Sequence, residues 1–371
     1  MIAEPGRADD DDKTRRRRRS PRSGRIDVVD FFSGCGGTSQ GLREAGFCIR
    51  TGIDMDADAA DTFRENFPEA KFINDDIRSV PVSHLLEFSR KHRRAPVLFT
   101  ACAPCQPFSR QNRERGGKDE RIALLDEMHR FVRRLRPDYI FVENVPGIQN
   151  VQARSGPLGR FAKLLRSLKY DVTCGVVDFL EFGVPQTRKR FVLVASLHGA
   201  FEFPHKTHGT GLRPYSTVWE WISDLPPIEA GQSHPEVPNH RAPGLSPKNA
   251  QRIRHTPEGG DRRHWPRDLM PACHVDHDGH ADVYGRLRRD RPAATLTTRC
   301  ISLSNGRFGH PTQDRALSVR EAACLQTFPR DFIFRGSMEG MAQQIGNAVP
   351  VLLAKRFGEK IVEHHRDHAE A

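Results

Sequence analysis

Between Ile26 and Ser196, short apolar runs alternate with segments of helical period, and this alternation constrains the fold more than any other feature. Ile26 to Phe32, Cys48 to Ile53, Val97 to Ala101, Tyr139 to Val142, Val172 to Val177 and Phe191 to Ala195 read as strands. Thr38 to Ala45, Ala57 to Asn66, Ile122 to Leu135 and Leu158 to Leu168 read as helices. Strand–helix alternation predicts a parallel sheet covered on both faces. From about Leu197 to Arg289 the periodicity fades and Pro, Gly, His and Arg become dense, as in a second, loop-rich domain or a large irregular insertion. Val351 to Val362, after Pro350, reads as a further helix.

A chain of 371 residues can bury a sizeable core and form two domains. Its formal charge of +11 suits a polyanionic partner better than a small acidic metabolite, although a basic surface also serves solubility. The first 24 residues carry like-charge blocks, Asp9 to Asp12 and Arg15 to Arg19, and predict a disordered tail. Asp9 to Lys13 resembles an engineered protease site. Eight irregularly spaced cysteines make no disulfide framework, so reduced thiols are expected. There is no apolar run of membrane-spanning length and no apolar leader, which points to the cytoplasm.

Strand Ile26 to Phe32 runs into Phe32-Ser33-Gly34-Cys35-Gly36-Gly37, and a helix follows. Glycines allow a sharp turn and close approach to a ligand, and a helix N-terminus offers free N–H groups. Asp54 ends the next strand, about 20 residues on, where a carboxylate can accept ribose hydroxyls. Asp76 follows the third strand. The pattern is not G-x-G-x-x-G, because Ser39 stands where the last glycine would be. The adenosyl half of a cofactor and a tight structural turn both fit.

Cys105 lies between Pro104 and Pro107 just after the run Val97 to Ala101, as a nucleophile would on a stiff loop at a strand end. Cys102-Ala103-Pro104-Cys105 also reads as C-x-x-C, so a redox pair, half a zinc site or an inert thiol are alternatives. No second pair completes a zinc site, and Pro107 argues against the helix that a redox pair opens. Glu143 ends the strand from Tyr139, where open α/β sheets face their ligand crevice. An acid beside a thiolate must be protonated or bonded to substrate. Arg188 and Arg190 alternate in Gln186-Thr187-Arg188-Lys189-Arg190, which suits a phosphate or carbonyl oxygen, or a solvated edge. Cys273, His274, His277 and His280 fit no zinc spacing, so no metal is expected.

With these stretches in hand, the chain resembles the DNA (cytosine-5) methyltransferases. Asp30 to Gly37 is similar to the family's cofactor loop, Pro104-Cys105-Gln106 to its nucleophile motif, Glu143-Asn144-Val145 to its acid motif, and Gln186 to Arg190 to its arginine motif. Arg291 to Thr297 resembles the segment supporting the recognition domain, and Gln344 to Pro350 the closing motif that returns to the cofactor. Six matches occur in the family's order; Ala348 departs from it, where relatives often carry Ser.

The resemblance implies an α/β fold: a Rossmann-like S-adenosylmethionine-dependent methyltransferase sheet with a smaller, loop-rich target recognition domain. It implies a catalytic domain at 25–196 plus 338–371 and a small domain at 197–337, with the recognition region at about 197–283. S-adenosylmethionine is the implied methyl donor and S-adenosylhomocysteine the product. The implied cofactor-binding residues are Phe32, Gly34, Cys35, Gly36, Gly37, Asp54, Met55, Asp76, Ile77, Pro104, Asn347, Ala348 and Val349. Cys105, Glu143, Arg188 and Arg190 are the implied catalytic set: Cys105 attacks C6 of a flipped-out cytosine, Glu143 bonds its N3 and amino group, and Arg188 holds the thiolate or O2. Double-stranded DNA is the implied substrate, a cognate restriction endonuclease the functional partner, and a monomer the expected state. Transfer-RNA methylation and a catalytically silent DNA-binding module are the competing functions.

Overall fold

A computed structural model describes residues 25–102, 124–146, 156–271 and 283–369. Seven strands form one sheet: β1 (Asp27–Phe31), β2 (Cys48–Asp54), β3 (Lys71–Asn74), β4 (Val97–Ala101), β5 (Tyr139–Asn144), β6 (Asp171–Asp178) and β7 (Lys189–Ser196), in the order β3-β2-β1-β4-β5-β7-β6. The helices between them are α1 (Gly37–Glu44), α2 (Ala57–Asn66), α3 (Leu124–Leu135) and α4 (Pro157–Ser167).

Both faces are covered, as the alternation implies. Successive residues of a strand point to opposite sides. Val28, Leu98 and Phe141 enter one core, whereas Val29, Phe99 and Val142 enter the other. The second core is closed by α3 and α4 through Met128, Phe131, Phe161 and Leu165.

The parallel sheet expected from the sequence requires one correction. β7 runs antiparallel to both β5 and β6, so the sheet is mixed. Only Phe179 to Arg188 separate β6 from β7, too short a link for the crossover a parallel pair needs. The antiparallel return brings the N-terminal end of β7 to the edge where the parallel strands finish. Asn144 pairs with Phe191 and Glu143 with Val192.

Beyond β7 the described residues hold three short helices, α5 (Val218–Ile222), α6 (Pro247–Arg254) and α7 (Val319–Leu325), among turns and isolated bridges. Then come α8 (Met338–Asn347) and the long α9 (Val351–Ala369). The expected final helix is present and extends further. α9 lies along α1, and its Leu353, Phe357 and Ile361 enter the same core as Leu42 and Phe141. Leu287, Leu296, Phe308 and Leu317 join that core, so the loop-rich part shares apolar interior with the sheet.

Candidate active site

The parallel strands end at Phe31, Asp54, Asn74, Ala101 and Asn144, and the residues singled out by the sequence gather along this edge. After β1 the backbone turns through left-handed positions at Phe32, Gly34 and Gly36 and enters α1. Gly34 N donates to Asp54 Oδ2 at 2.8 Å, and Asp56 N donates to Asp54 Oδ1 at 3.0 Å. Burial nevertheless holds the Asp54 carboxyl above its ordinary range. Next to it Met55 is 69% exposed, an apolar side chain offered to solvent at the rim. Cys35 is buried, with Sγ 3.7 Å from Gln344 O, and burial pushes its thiol up to about 12. Its side chain therefore belongs to the core, and only its backbone faces the turn. Asp76 is gripped by Arg78, Nη2 to Oδ2 at 2.6 Å, which holds its carboxyl below the usual range, while Ile77 is buried.

The closing segment packs directly on this turn. A Cβ on Gly37 would lie 2.6 Å from Val349 O, so only glycine admits that approach. Val349 is buried, Ala348 half-buried and Asn347 exposed at the α8 terminus.

On β5, Glu143 is 7% exposed. Arg190 Nε lies 3.1 Å from Glu143 Oε1, an ion pair aligned too obliquely for a hydrogen bond. That oxygen is enclosed and accepts no hydrogen bond among the described residues. Arg188 Nη1 donates to Leu296 O at 3.1 Å and to Gly346 O at 3.0 Å. It thereby ties the arginine segment to the 291–297 segment and to the closing segment. A Cβ on Gly346 would sit 2.2 Å from Thr297 O, so those two segments also touch backbone to backbone.

Two further groups hold the site: Gln326, which the sequence did not single out, with Gln186 of the arginine motif, and Asp30 of the cofactor-loop motif, which had no role of its own in the sequence reading. Gln186 Nε2 donates to Gln326 Oε1 at 2.5 Å, and Gln326 Nε2 donates to Ile345 O at 2.6 Å and Ala348 O at 3.1 Å. Gln326 sits at the end of α7, in a stretch without periodicity, so no local signal marks it. Asp30 is wholly buried in β1 and accepts from Ser39 Oγ at 2.7 Å and from Thr100 Oγ1. Burial raises its carboxyl to about 6. A carboxylate inside an apolar strand was the available signal.

Cys105 and Pro104 lie outside the described residues, as do Cys273, His274, His277 and His280. Cys102, at the end of β4, has its Sγ 3.5 Å from Thr38 Oγ1. All six described cysteines are free thiols; burial pushes Cys300 up to about 12 and Cys324 to about 11, so neither is a thiolate. Among the described residues no three of His, Cys, Asp and Glu gather as metal ligands, and no helix is long and apolar enough to cross a membrane.

A mixed sheet with helices on both faces and its polar residues gathered at the strand ends defines a Rossmann-like methyltransferase fold. The chain belongs to the C-5 cytosine-specific DNA methylase family, which matches residues 26–363, and it is a DNA cytosine-5 methyltransferase. It is 37% identical over 354 residues to the Type II methylase M.HgiDII of Herpetosiphon aurantiacus, covering 91% of this chain and 98% of that one. It is 32% identical over 342 residues to the Type II methyltransferase M1.HphI of Haemophilus parahaemolyticus, covering 91% and 87%. Among solved structures, the Entamoeba histolytica methyltransferase EhMeth superposes with a TM-score of 0.62 at 15% identity, over 92% of this chain and 98% of that one. The S. pombe Dnmt2 methyltransferase superposes with a TM-score of 0.58 at 21% identity, over 92% and 99%.

Proposed function

We propose that this enzyme methylates C5 of a cytosine flipped out of duplex DNA, within one short sequence, using S-adenosylmethionine and a transient Cys105–C6 bond. The observation that carries the reading is the Glu143–Arg190 pair, held on the sheet edge that also bears the Gly34 turn and the Asp54 carboxylate. The residues present fit the cofactor. Among the described residues nothing fills the Cβ side of Gly34, Asp54 stands at a strand end, and Met55 and Asn347 are exposed. Phe32, Gly34 to Gly37, Asp54, Met55, Asp76, Ile77 and Asn347 to Val349 would hold it, Asp76 after release from Arg78. Bound there, S-adenosylmethionine supplies an electrophilic methyl group.

Cytosine C5 is a poor nucleophile. Attack of the Cys105 thiolate at C6 makes C5 an enamine carbon. Three residues of chain span at most about 11 Å, so Cys105 can reach the edge that Cys102 borders. Glu143 bonds N3 and the amino group where charge develops, and Arg190 orients Glu143. Arg188, through its two carbonyls, positions the 291–297 and closing segments around the base. After C5 is methylated it loses its proton, and the Cys105–C6 bond breaks to restore the ring. A stacked base cannot be reached this way, and unstacking costs a few kcal/mol, offset by phosphate and pocket contacts. The excess of 58 Lys and Arg over 47 Asp and Glu supports such contacts.

A catalytic unit at 25–196 plus 338–371, a small domain at 197–337 with recognition residues at about 197–283, a monomeric state and a cytoplasmic site complete the proposal. So does host protection beside a cognate restriction endonuclease, in keeping with the Type II names of the relatives. Bisulfite sequencing of DNA from expressing cells is expected to show 5-methylcytosine in one short motif, abolished by Cys105→Ala. Folded, cofactor-loaded protein that leaves duplex DNA unmodified but methylates transfer RNA would overturn it.

A further inference from the structure

An open cleft of about 450 Å³ lies between segments 243–249 and 298–304 and the first half of α8. None of its lining residues belongs to the Glu143–Arg190 pair or the Gly34 turn, but its walls continue into the 291–297 and closing segments. Thr298 on its wall follows Thr297, whose carbonyl abuts Gly346. Gln343 on its wall precedes Asn347 by one turn of α8, roughly 6 Å.

Arg299, Glu339 and Gln343 line this cleft and are exposed. None of the three side chains makes a hydrogen bond or ion pair among the described residues. Arg299 thus keeps its guanidinium open to a ligand, whereas Arg286, Arg288, Arg289, Arg307 and Arg315 are each paired with a carboxylate. A guanidinium, a carboxylate and an amide are the groups that read guanine, cytosine and adenine edges, respectively. A clamp for backbone phosphate would not carry Glu339, because a carboxylate repels phosphate. Leu245, Ile301 and Met338 add an apolar wall suited to base planes and the thymine methyl.

We propose that this cleft reads base edges beside the target cytosine, with Arg299, Glu339 and Gln343 as specificity-determining residues outside the 197–283 region. The inference rests on the proposed action on duplex DNA. Its test is methyl transfer to a duplex library randomised around the cytosine, with the methylated products sequenced, for wild type, Arg299→Ala, Glu339→Ala and Gln343→Ala. Each variant is expected to relax discrimination at its own position by roughly 5- to 150-fold while the ranking of bases elsewhere is kept. Gln343→Glu is expected to change which base is preferred at that position. A uniform loss across sequences with a shallower salt dependence means backbone contact only and overturns the inference. Unchanged preferences in active variants overturn it alone, whereas a wild type inactive on every duplex overturns the proposed activity and this inference together. All four substitutions are at exposed positions, and thermal unfolding measured alongside separates altered reading from lost fold.

Discussion

Arg188 and Arg190 stand two residues apart and meet different surroundings. Arg188 is 3% exposed and satisfies two carbonyls from distant segments. Arg188→Ala leaves both acceptors buried, and denaturant unfolding is expected to show a loss on the order of 3 kcal/mol. Arg190 keeps an 18% exposed side chain against Glu143. Arg190→Ala is expected to change unfolding little and to lower the rate of methyl transfer, as Glu143→Gln lowers it by about 100- to 1,000-fold. If both arginine variants lost stability equally and activity equally, this division would be wrong. The sequence placed both on one extended segment. Which carbonyls Arg188 reaches depends on segments 108 and 158 residues away, and no local pattern encodes that.

At the scale of elements, the site depends on backbone approaching backbone. Gly37 lies against Val349 O and Gly346 against Thr297 O. Gly37→Ala is expected to push the closing segment off the α1 terminus, at a cost of about 1–3 kcal/mol. The same change is expected to weaken S-adenosylmethionine binding measured by calorimetry; unaltered affinity would mean that the contact does not shape the pocket. Apolar period revealed α2 with its observed ends, Ala57 to Asn66, because Asp56 caps it locally through Ala59 N. It revealed neither α7 nor α8. Ser318 and Glu321 form a capping box on α7, but its buried residues extend all round, including Arg320 and Glu321, so the amphipathic signal is absent.

Across the whole molecule, two buried groups oppose each other in acid. His310, buried in the loop-rich part beside Glu321 and Arg315, is pushed down from 6.5 to about 4 by burial. A lowered folded value means that its stability is present above pH 6.5 and lost as pH falls toward 4, about 3 kcal/mol in all. Asp30 is raised from 3.8 to about 6, so its contribution is present below pH 3.8 and lost as pH rises through 6, also about 3 kcal/mol. The two contributions therefore largely offset each other between pH 4 and 6. Relative to the wild type, His310→Gln is expected to tilt the profile toward lower stability with rising pH and Asp30→Asn toward higher, both read by chemical denaturation. Parallel profiles for the two variants would refute the assignment.

The sequence alone determined the alternating strands and helices, the covered sheet, the glycine turn and the acid and arginine at its edge. Each of these is written in local period, in turn chemistry or in a short motif. Tertiary structure alone decided the pairing of β7 with β5 and the Gln186–Gln326 tie. It also decided the separate employment of Arg188 and Arg190, and the grouping of Arg299, Glu339 and Gln343 around one cleft. The physical reason is distance along the chain. Hydrogen bonds and backbone approaches between segments far apart in the chain arise only when a common core draws them together.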